Sequence, residues 1–286
     1  MTESGSNNSA DTTITFVVVG RNEAPTLTGA LKLAQQAASA GDHVLFADSA
    51  STDGSEAIAK ATGVETVSAP AGKGRAMARA WEQVRTSYIC FIDADIFGCS
   101  HNIPSRLATA VRHQKPAMVV GEFGETEPGV LSNTVGVYEP LVAALFPEAA
   151  GRYGAKPLTG FRALRADLPV RPLPGDFGVE AHLNLSVALL PGATTMTTDI
   201  GNYEGRFLYK PTMGREIGRA VLDYAERLGR LDSLLRPQWN AWVETVVEHV
   251  ASFRGEPHLR ERFRQRLLEL AQRPLPPARA QAAASA

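Results

Sequence analysis

Residues Tyr88-Ile89-Cys90-Phe91-Ile92-Asp93-Ala94-Asp95 form an apolar run of strand length that ends in two carboxylates one residue apart. On a continuing strand alternate side chains share a face, so Asp93 and Asp95 are expected to point together into one cleft at the strand's C-terminal end. Two hard oxygen donors side by side suit Mg2+ or Mn2+, and such an ion can bridge the phosphates of a nucleotide. Asp is also common in plain strand-to-loop turns. The other polar loops of the chain have to decide between these readings.

Those loops recur at strand ends. Thr13 to Val19 is β-branched and aromatic, the composition of a buried strand, and stops at Gly20-Arg21-Asn22-Glu23. Pro25 suits the first turn of a helix, and Leu27, Ala30, Leu31, Ala34 and Ala38 follow at helical spacing. His43 to Ala47 is a second apolar strand, closing on Asp48-Ser49-Ala50-Ser51-Thr52-Asp53-Gly54-Ser55. A helical pattern from Ser55 to Ala61 and a third strand around Val64 to Val67 come next. Ala71-Gly72-Lys73-Gly74-Arg75 is a glycine-flanked basic loop that opens a helix through Trp81 and Val84. This alternation calls for an α/β fold, a mostly parallel Rossmann-like sheet with helices on both faces and ligands at the strands' C-terminal ends. A dinucleotide fingerprint is absent after the first strand. Gly72-Lys73-Gly74 also lacks the glycine spacing and the Ser/Thr of a Walker A loop.

The chain has 286 residues, 44% of them hydrophobic, enough for one large or two small cores. Its formal net charge of -1 gives no global field for nucleic acid or an anionic membrane. No run of eighteen apolar residues occurs, so no membrane span is expected. The Ser/Asn/Thr-rich start has neither a basic nor an apolar leader segment and reads as a disordered tail over residues 1–12. The two cysteines, Cys90 and Cys99, read as free thiols in a reducing cytoplasm.

Val19-Gly20-Arg21-Asn22-Glu23, Asp48 to Ser55, Gly72-Lys73-Gly74 and Asp93-Ala94-Asp95 occur in this order. Together they resemble the nucleotide-sugar-binding half of GT-A glycosyltransferases. Among these the likeness is to glucosyl-3-phosphoglycerate synthase and its relatives more than to ordinary family 2 enzymes. It continues through Pro140 to Leu145, Pro157-Leu158-Thr159-Gly160-Phe161-Arg162 and Phe177-Gly178-Val179-Glu180, covering roughly residues 13 to 210. The resemblance implies a GT-A catalytic domain over 13–210, with a donor half over 13–125 and an acceptor half over 126–210. Helices over 211–273 and a loose end over 274–286 would follow. It also implies a nucleotide-diphosphate sugar as donor (UDP- or GDP-hexose), a small hydroxylated acceptor, Mg2+ or Mn2+, and a homodimer.

The same resemblance distributes roles. Asn22, Glu23, Asp48 and Ser49 would line the nucleoside pocket. Turn and helix capping is the competing reading for Asp48 and Asp53, and for Asp53 the preferred one. Lys73 would contact the diphosphate, its flanking glycines letting backbone come close. Asp95 would hold the metal directly and Asp93 in part. Where the similar synthases place a metal-binding histidine, the chain reads Asp199-Ile200-Gly201-Asn202-Tyr203-Glu204-Gly205-Arg206-Phe207, leaving Glu204 or a water as third ligand. Glu180 would sit by the sugar hydroxyls, with Thr159 and Gly160 alongside, and a charge on a helix N-terminus would suit it equally. Asp176 is the alternative carboxylate if the chemistry needs a general base. His182 reads as structural.

On the acceptor side Leu131-Ser132-Asn133-Thr134 keeps a threonine where phosphoglycerate-using relatives carry an arginine as well. A doubly charged acceptor would be poorly compensated there, so an acceptor other than 3-phosphoglycerate is expected, one suited to specialised metabolism. Transfer with retention is the expected course. The alternatives are an inverting family 2 transferase using Asp176 or Glu180 as base, a nucleotidyltransferase, and a catalytically silent nucleotide-sugar-binding protein. Beyond Lys210-Pro211 the apolar stripe from Ile217 to Leu235, then Trp239 to Phe253 and Leu259 to Leu270, read as helices packed in the core or between subunits. The Arg260 to Arg266 run reads as a solvated helix face.

Overall fold

The computed structural model describes residues 12–124, 132–205, 211–252 and 260–279. The N-terminal tail, Leu131, Arg206 and Phe207 therefore lie outside the described residues, as does the last stretch from 280. Strands β1 (Ile14–Gly20), β2 (His43–Asp48), β3 (Glu65–Ser68) and β4 (Tyr88–Asp93) alternate with helices α1 (Ala24–Ala37), α2 (Ser55–Ala61) and α3 (Lys73–Trp81). Next come β5 (Ile96–Cys99), α4 (Ile103–Gln114), β6 (Met118–Glu122) and α5 (Glu139–Leu145), then β7 (Arg162–Arg165), α6 (Val179–Ala188), β8 (Thr195–Asp199) and β9 (Tyr203–Gly205). Helices α7 (Pro211–Arg227), α8 (Arg236–Ser252) and α9 (Arg260–Ala271) close the described chain.

The main sheet has seven strands in the order β3-β2-β1-β4-β7-β6-β8. It is parallel except at β7, which runs antiparallel between β4 and β6. Both faces are covered, so β4 is apolar without interruption: Ile89 and Phe91 enter one buried cluster, Cys90 and Ile92 the other. The first cluster extends without a break into Trp239, Trp242, Val243 and Val246 of α8 and Leu267 of α9. The C-terminal helices thus share a core with the sheet. Two features differ from the expectation. The long stripe after Lys210 is split by a turn at Gly229, which takes φ +65, so α7 and α8 form a hairpin. Residues 274–279 are pinned, the Pro277 carbonyl accepting from Trp239 Nε1 at 3.0 Å and the Ala278 carbonyl from the Asp232 amide at 2.9 Å.

The carboxylate strand also departs from a straight ladder. β4 ends at Asp93, the chain bends at Ala94, and β5 leaves to pair with β9 in a second, two-stranded sheet. Among the described residues no helix is long and apolar enough to cross a membrane.

The sharpest packing constraint lies where α3 begins. A Cβ on Gly74 would stand 1.8 Å from the Pro174 carbonyl oxygen, and one on Gly72 would stand 2.2 Å from that of Gly175. Both obstacles are backbone, so neither can yield as a flexible side chain would. Gly74→Ala should therefore destabilise the protein by about 3 kcal/mol or more, read as a lower urea midpoint at unchanged slope. Gly29→Ala, with nothing within 4 Å of the new methyl, is the control and should not lower it.

Candidate active site

The loops after β1 and β2 are stitched to each other by the side chains that were candidates for the nucleoside. Asn22 takes φ +58, which Asn tolerates. Its Oδ1 accepts from the Thr52 amide at 2.7 Å, and its own amide donates to Ser51 Oγ at 2.9 Å. Asp53 accepts from the Ala24 amide at 2.9 Å, the Ser55 amide at 3.1 Å and Ser55 Oγ at 2.6 Å. Slight burial opposes its ionisation, but these hydrogen bonds outweigh it and hold the carboxyl below the ordinary carboxylate range. Asp53 is a loop clamp, in keeping with the capping reading. Asp48 is buried, and both its oxygens accept from the Ser51 amide at 3.2 Å. Ser49 Oγ accepts from the Gly72 amide at 2.8 Å and joins the second loop to the third. Asp48 makes both kinds of reading compatible, because a carboxylate offers about four acceptor sites.

Gly72 and Gly74 keep α3 against Pro174-Gly175-Asp176, with the Arg75 amide donating to the Gly175 carbonyl at 3.2 Å. The backbone those glycines admit is the protein's own. This packing carries Lys73 between two acids: its Nζ lies 2.7 Å from Asp93 Oδ1 and 2.7 Å from Glu180 Oε1. Burial alone would lower the lysine pKa, but the charges of Asp93 and Glu180 overcome it and push it above its ordinary value. The contact to Glu180 is oblique, so charge rather than a well-aligned hydrogen bond holds that buried oxygen. Glu180 stands in the first turn of α6, where the helix dipole also favours an anion.

Gly160 abuts Asp93. A Cβ there would fall 2.1 to 2.3 Å from the carboxylate atoms of Asp93. Thr159, also buried, shapes the same turn, its Oγ1 accepting from the Phe161 amide at 3.3 Å. Asp95 has no such lysine. Burial first, then the charges of Asp93 and Glu23, push its pKa up to about 7, with Lys73 countering. This coupling places Glu23 and both carboxylates in one field although β4 does not continue to Asp95.

Three other candidates have surroundings of their own. Asp176 is engaged by an ion pair with Arg219 and accepts from the Gly178 amide at 2.9 Å. Glu204 is exposed and stands over Gly98, its Oε2 3.8 Å from where a Cβ on that glycine would be. Thr134 is buried in the π-helical turn Thr134–Tyr138 that precedes α5. His182 is structural, its Nε2 2.8 Å from the Val170 carbonyl.

Known proteins carry the same architecture. Residues 15–134 match the family model described as "Glycosyl transferase family 2". Mannosyl-3-phosphoglycerate synthase from Rubrobacter xylanophilus superposes with a TM-score of 0.70 at 25% identity, over 78% of this chain and 76% of that one. This chain shares the GT-A glycosyltransferase fold of that synthase. Glucosyl-3-phosphoglycerate synthase from Mycobacterium tuberculosis, solved with Mg2+ and UDP, is similar at a TM-score of 0.66 and 25% identity, over 78% of this chain and 82% of that one. The same synthase in complex with Mn2+, UDP-glucose and phosphoglyceric acid is similar at a TM-score of 0.66 and 24% identity, over the same shares. No curated protein sequence matches the chain significantly.

Among the described residues no group of three or more His, Cys, Asp or Glu side chains is arranged to hold a metal. The cleft offers two hard carboxylates, Asp93 and Asp95. That pair suits a Mg2+ or Mn2+ ion that takes its other ligands from phosphate and water. The high pKa of Asp95 comes first from burial and then from the neighbouring acids, which Lys73 offsets only in part.

One residue of the site was not singled out by the sequence. Arg162 lies beneath the cluster with no exposure. No local signal marked it: both faces of β7 are covered, Ala163 and Leu164 being as buried as Arg162, and its partners come from segments remote in the chain.

Two measurements test this geometry. The folded-state pKa of Asp95 lies above its ordinary 3.8, so the native state keeps the proton that the unfolded state releases first. Stability of the metal-free protein should then fall as pH rises from about 4 to 7. Asp95→Asn should flatten that slope and stabilise the metal-free protein at pH 8 by on the order of 2 kcal/mol, measured by urea unfolding across pH. Gly160→Ala should displace Asp93 and weaken Mn2+ binding by about tenfold or more in isothermal titration. Unchanged affinity in a folded variant would refute the role given to Gly160.

Proposed function

We propose that the site transfers a hexose from UDP- or GDP-hexose to a small hydroxylated acceptor, assisted by Mg2+ or Mn2+ and with retention of configuration. The observation that carries this reading is the Lys73 ammonium, 2.7 Å from both Asp93 and Glu180, at the C-terminal ends of parallel strands. A group that neutralises two acids here is positioned to exchange one of them for a phosphate oxygen of a bound diphosphate. The similar synthases were solved with UDP and UDP-glucose together with Mn2+ or Mg2+, which favours the same donor chemistry here.

On this reading Asn22, Glu23, Asp48 and Ser49 receive the nucleoside. Asp93 and Asp95 hold the divalent ion, whose charge stabilises the diphosphate as it leaves. Lys73 turns to the diphosphate, and Glu180, released from it, accepts from sugar hydroxyls. The bond from the anomeric carbon to the diphosphate oxygen breaks with its electron pair going to that oxygen. The acceptor hydroxyl oxygen bonds to the same carbon from the same side and gives its proton to the leaving phosphate. Asp176 is held by Arg219 and by the Gly178 amide, which makes it a poor free base and disfavours the inverting course.

The acceptor is proposed to be other than 3-phosphoglycerate. Ser132, Asn133 and Thr134 are neutral and buried, and Asn133 Oδ1 approaches α7 at Gly214, so this stretch offers hydrogen bonds without a guanidinium.

A thermal-shift screen of UDP, GDP, ADP and dTDP sugars with and without Mn2+ tests the donor. A metal-dependent rise in transition temperature with one nucleotide is expected, since a ligand at a hundredfold excess over Kd stabilises by about 2.7 kcal/mol. Asp95→Ala should abolish it. No shift with any nucleotide sugar would sink the proposal.

A further inference from the structure

Arg162 donates in several directions at once. Its Nε bonds the Thr159 carbonyl at 3.1 Å, and Nη2 bonds the same carbonyl and that of Pro157, the latter at 3.1 Å. Nη1 reaches Asn184 Oδ1 at 2.9 Å and the Glu180 carbonyl at 3.4 Å. Each of these acceptors is a neutral oxygen, and the side chain is fully buried. Burying a guanidinium without a carboxylate in contact is costly, and an apolar residue would fill the same space more cheaply. Leu164, on the same face of β7, does just that.

We propose that Arg162 is a positioning residue for hexosyl transfer: it sets the separation between Asp93 and Glu180 by bracing the Pro157–Thr159 turn against the first turns of α6. The inference rests on the transferase reading and assigns that site a residue nothing else in it accounts for. The turn leads directly into Gly160, whose Cα bears on Asp93. Glu180 and Asn184 lie on α6, and both are bonded to the same guanidinium. Asn184 closes the brace by donating from Nδ2 to the Pro157 carbonyl at 2.8 Å. The two acids share Lys73, so their oxygens are no farther apart than twice 2.7 Å, and that span is the gap the brace maintains. When Lys73 turns to a diphosphate, the charge of the guanidinium still acts on both acids without contact. A planar fork with five donors can hold three carbonyls and an amide oxygen together, whereas an ammonium on a flexible stem cannot.

The test uses full-length Arg162→Met and Arg162→Lys. It follows kcat and KM for the nucleotide sugar identified in the thermal-shift screen, with hydrolysis of that donor as the reaction, alongside each variant's Tm. Misplacing a reacting group by about 1 Å costs about 100-fold, so the folded Met variant should lose 10- to 100-fold in kcat. Its donor KM should stay within about threefold, and Lys should restore only part of the loss. A folded Met variant with kcat within about twofold of the parent overturns the proposal, as does a loss confined to KM. If the Met variant does not fold, the Lys variant decides alone: a fall in its kcat supports the brace and an unchanged kcat overturns it. If the parent protein binds a nucleotide sugar without turning it over, the transferase reading falls separately. Crystal structures of the parent and the Lys variant then decide on Arg162, an unchanged Asp93–Glu180 separation counting against it.

Discussion

The ammonium of Lys73 between Asp93 and Glu180 is the interaction on which the rest of the site depends. Three acids, Asp93, Asp95 and Glu180, are gathered into a partly dehydrated cleft, and without a cation their mutual repulsion would spread them. Lys73 removes that repulsion for two of the three and leaves Asp95 as the acid still in need of charge. An interior in which a lysine is driven above its ordinary pKa while a nearby aspartate is driven up to about 7 is electrostatically primed for a multivalent cation and an anionic ligand to arrive together.

Glycines hold that arrangement. Gly72 and Gly74 bring α3 into backbone contact with the Pro174–Gly175 segment, which fixes where Lys73 emerges. Gly160 allows the turn before β7 to lie on Asp93, and Gly20 lets the end of β1 pass Ala94, where a Cβ would come within 2.8 Å of that side chain. These are close approaches of main chain, and no other residue type permits them without moving what it touches. The candidate site is therefore built as much by absent side chains as by charged ones. Arg162 adds the opposite device, a rigid donor that fills its hole and binds the surrounding carbonyls.

Much of the fold was readable because buried parallel strands have to be continuously apolar and the helices between them have to be amphipathic. The first four strands and three helices stand within a residue or two of their expected limits, with α3 ending a turn sooner. The antiparallel insertion of β7 and the β5–β9 sheet were not readable, since short strands carry too little periodicity to show their partners. The polar residues of the first two loops were legible as a set but not in their division of labour. Asp53 and Asn22 secure loop to loop, Asp48 does so with capacity to spare, and residue type alone does not tell an acceptor used by a backbone amide from one held for a ligand.

By itself the sequence determined the first four strands of the sheet, the order of its polar loops and the identity of the acids and the lysine, because burial and turn chemistry are written in local composition. Only the tertiary structure decided that Lys73 pairs with Asp93 and Glu180, residues 20 and 107 positions away. It also decided that Asp176 is held by Arg219, that Glu204 lies over Gly98, and that Arg162 braces the floor of the site. Charge pairing depends on distances of a few ångströms between segments remote in the chain, and those distances follow from how helices and loops pack.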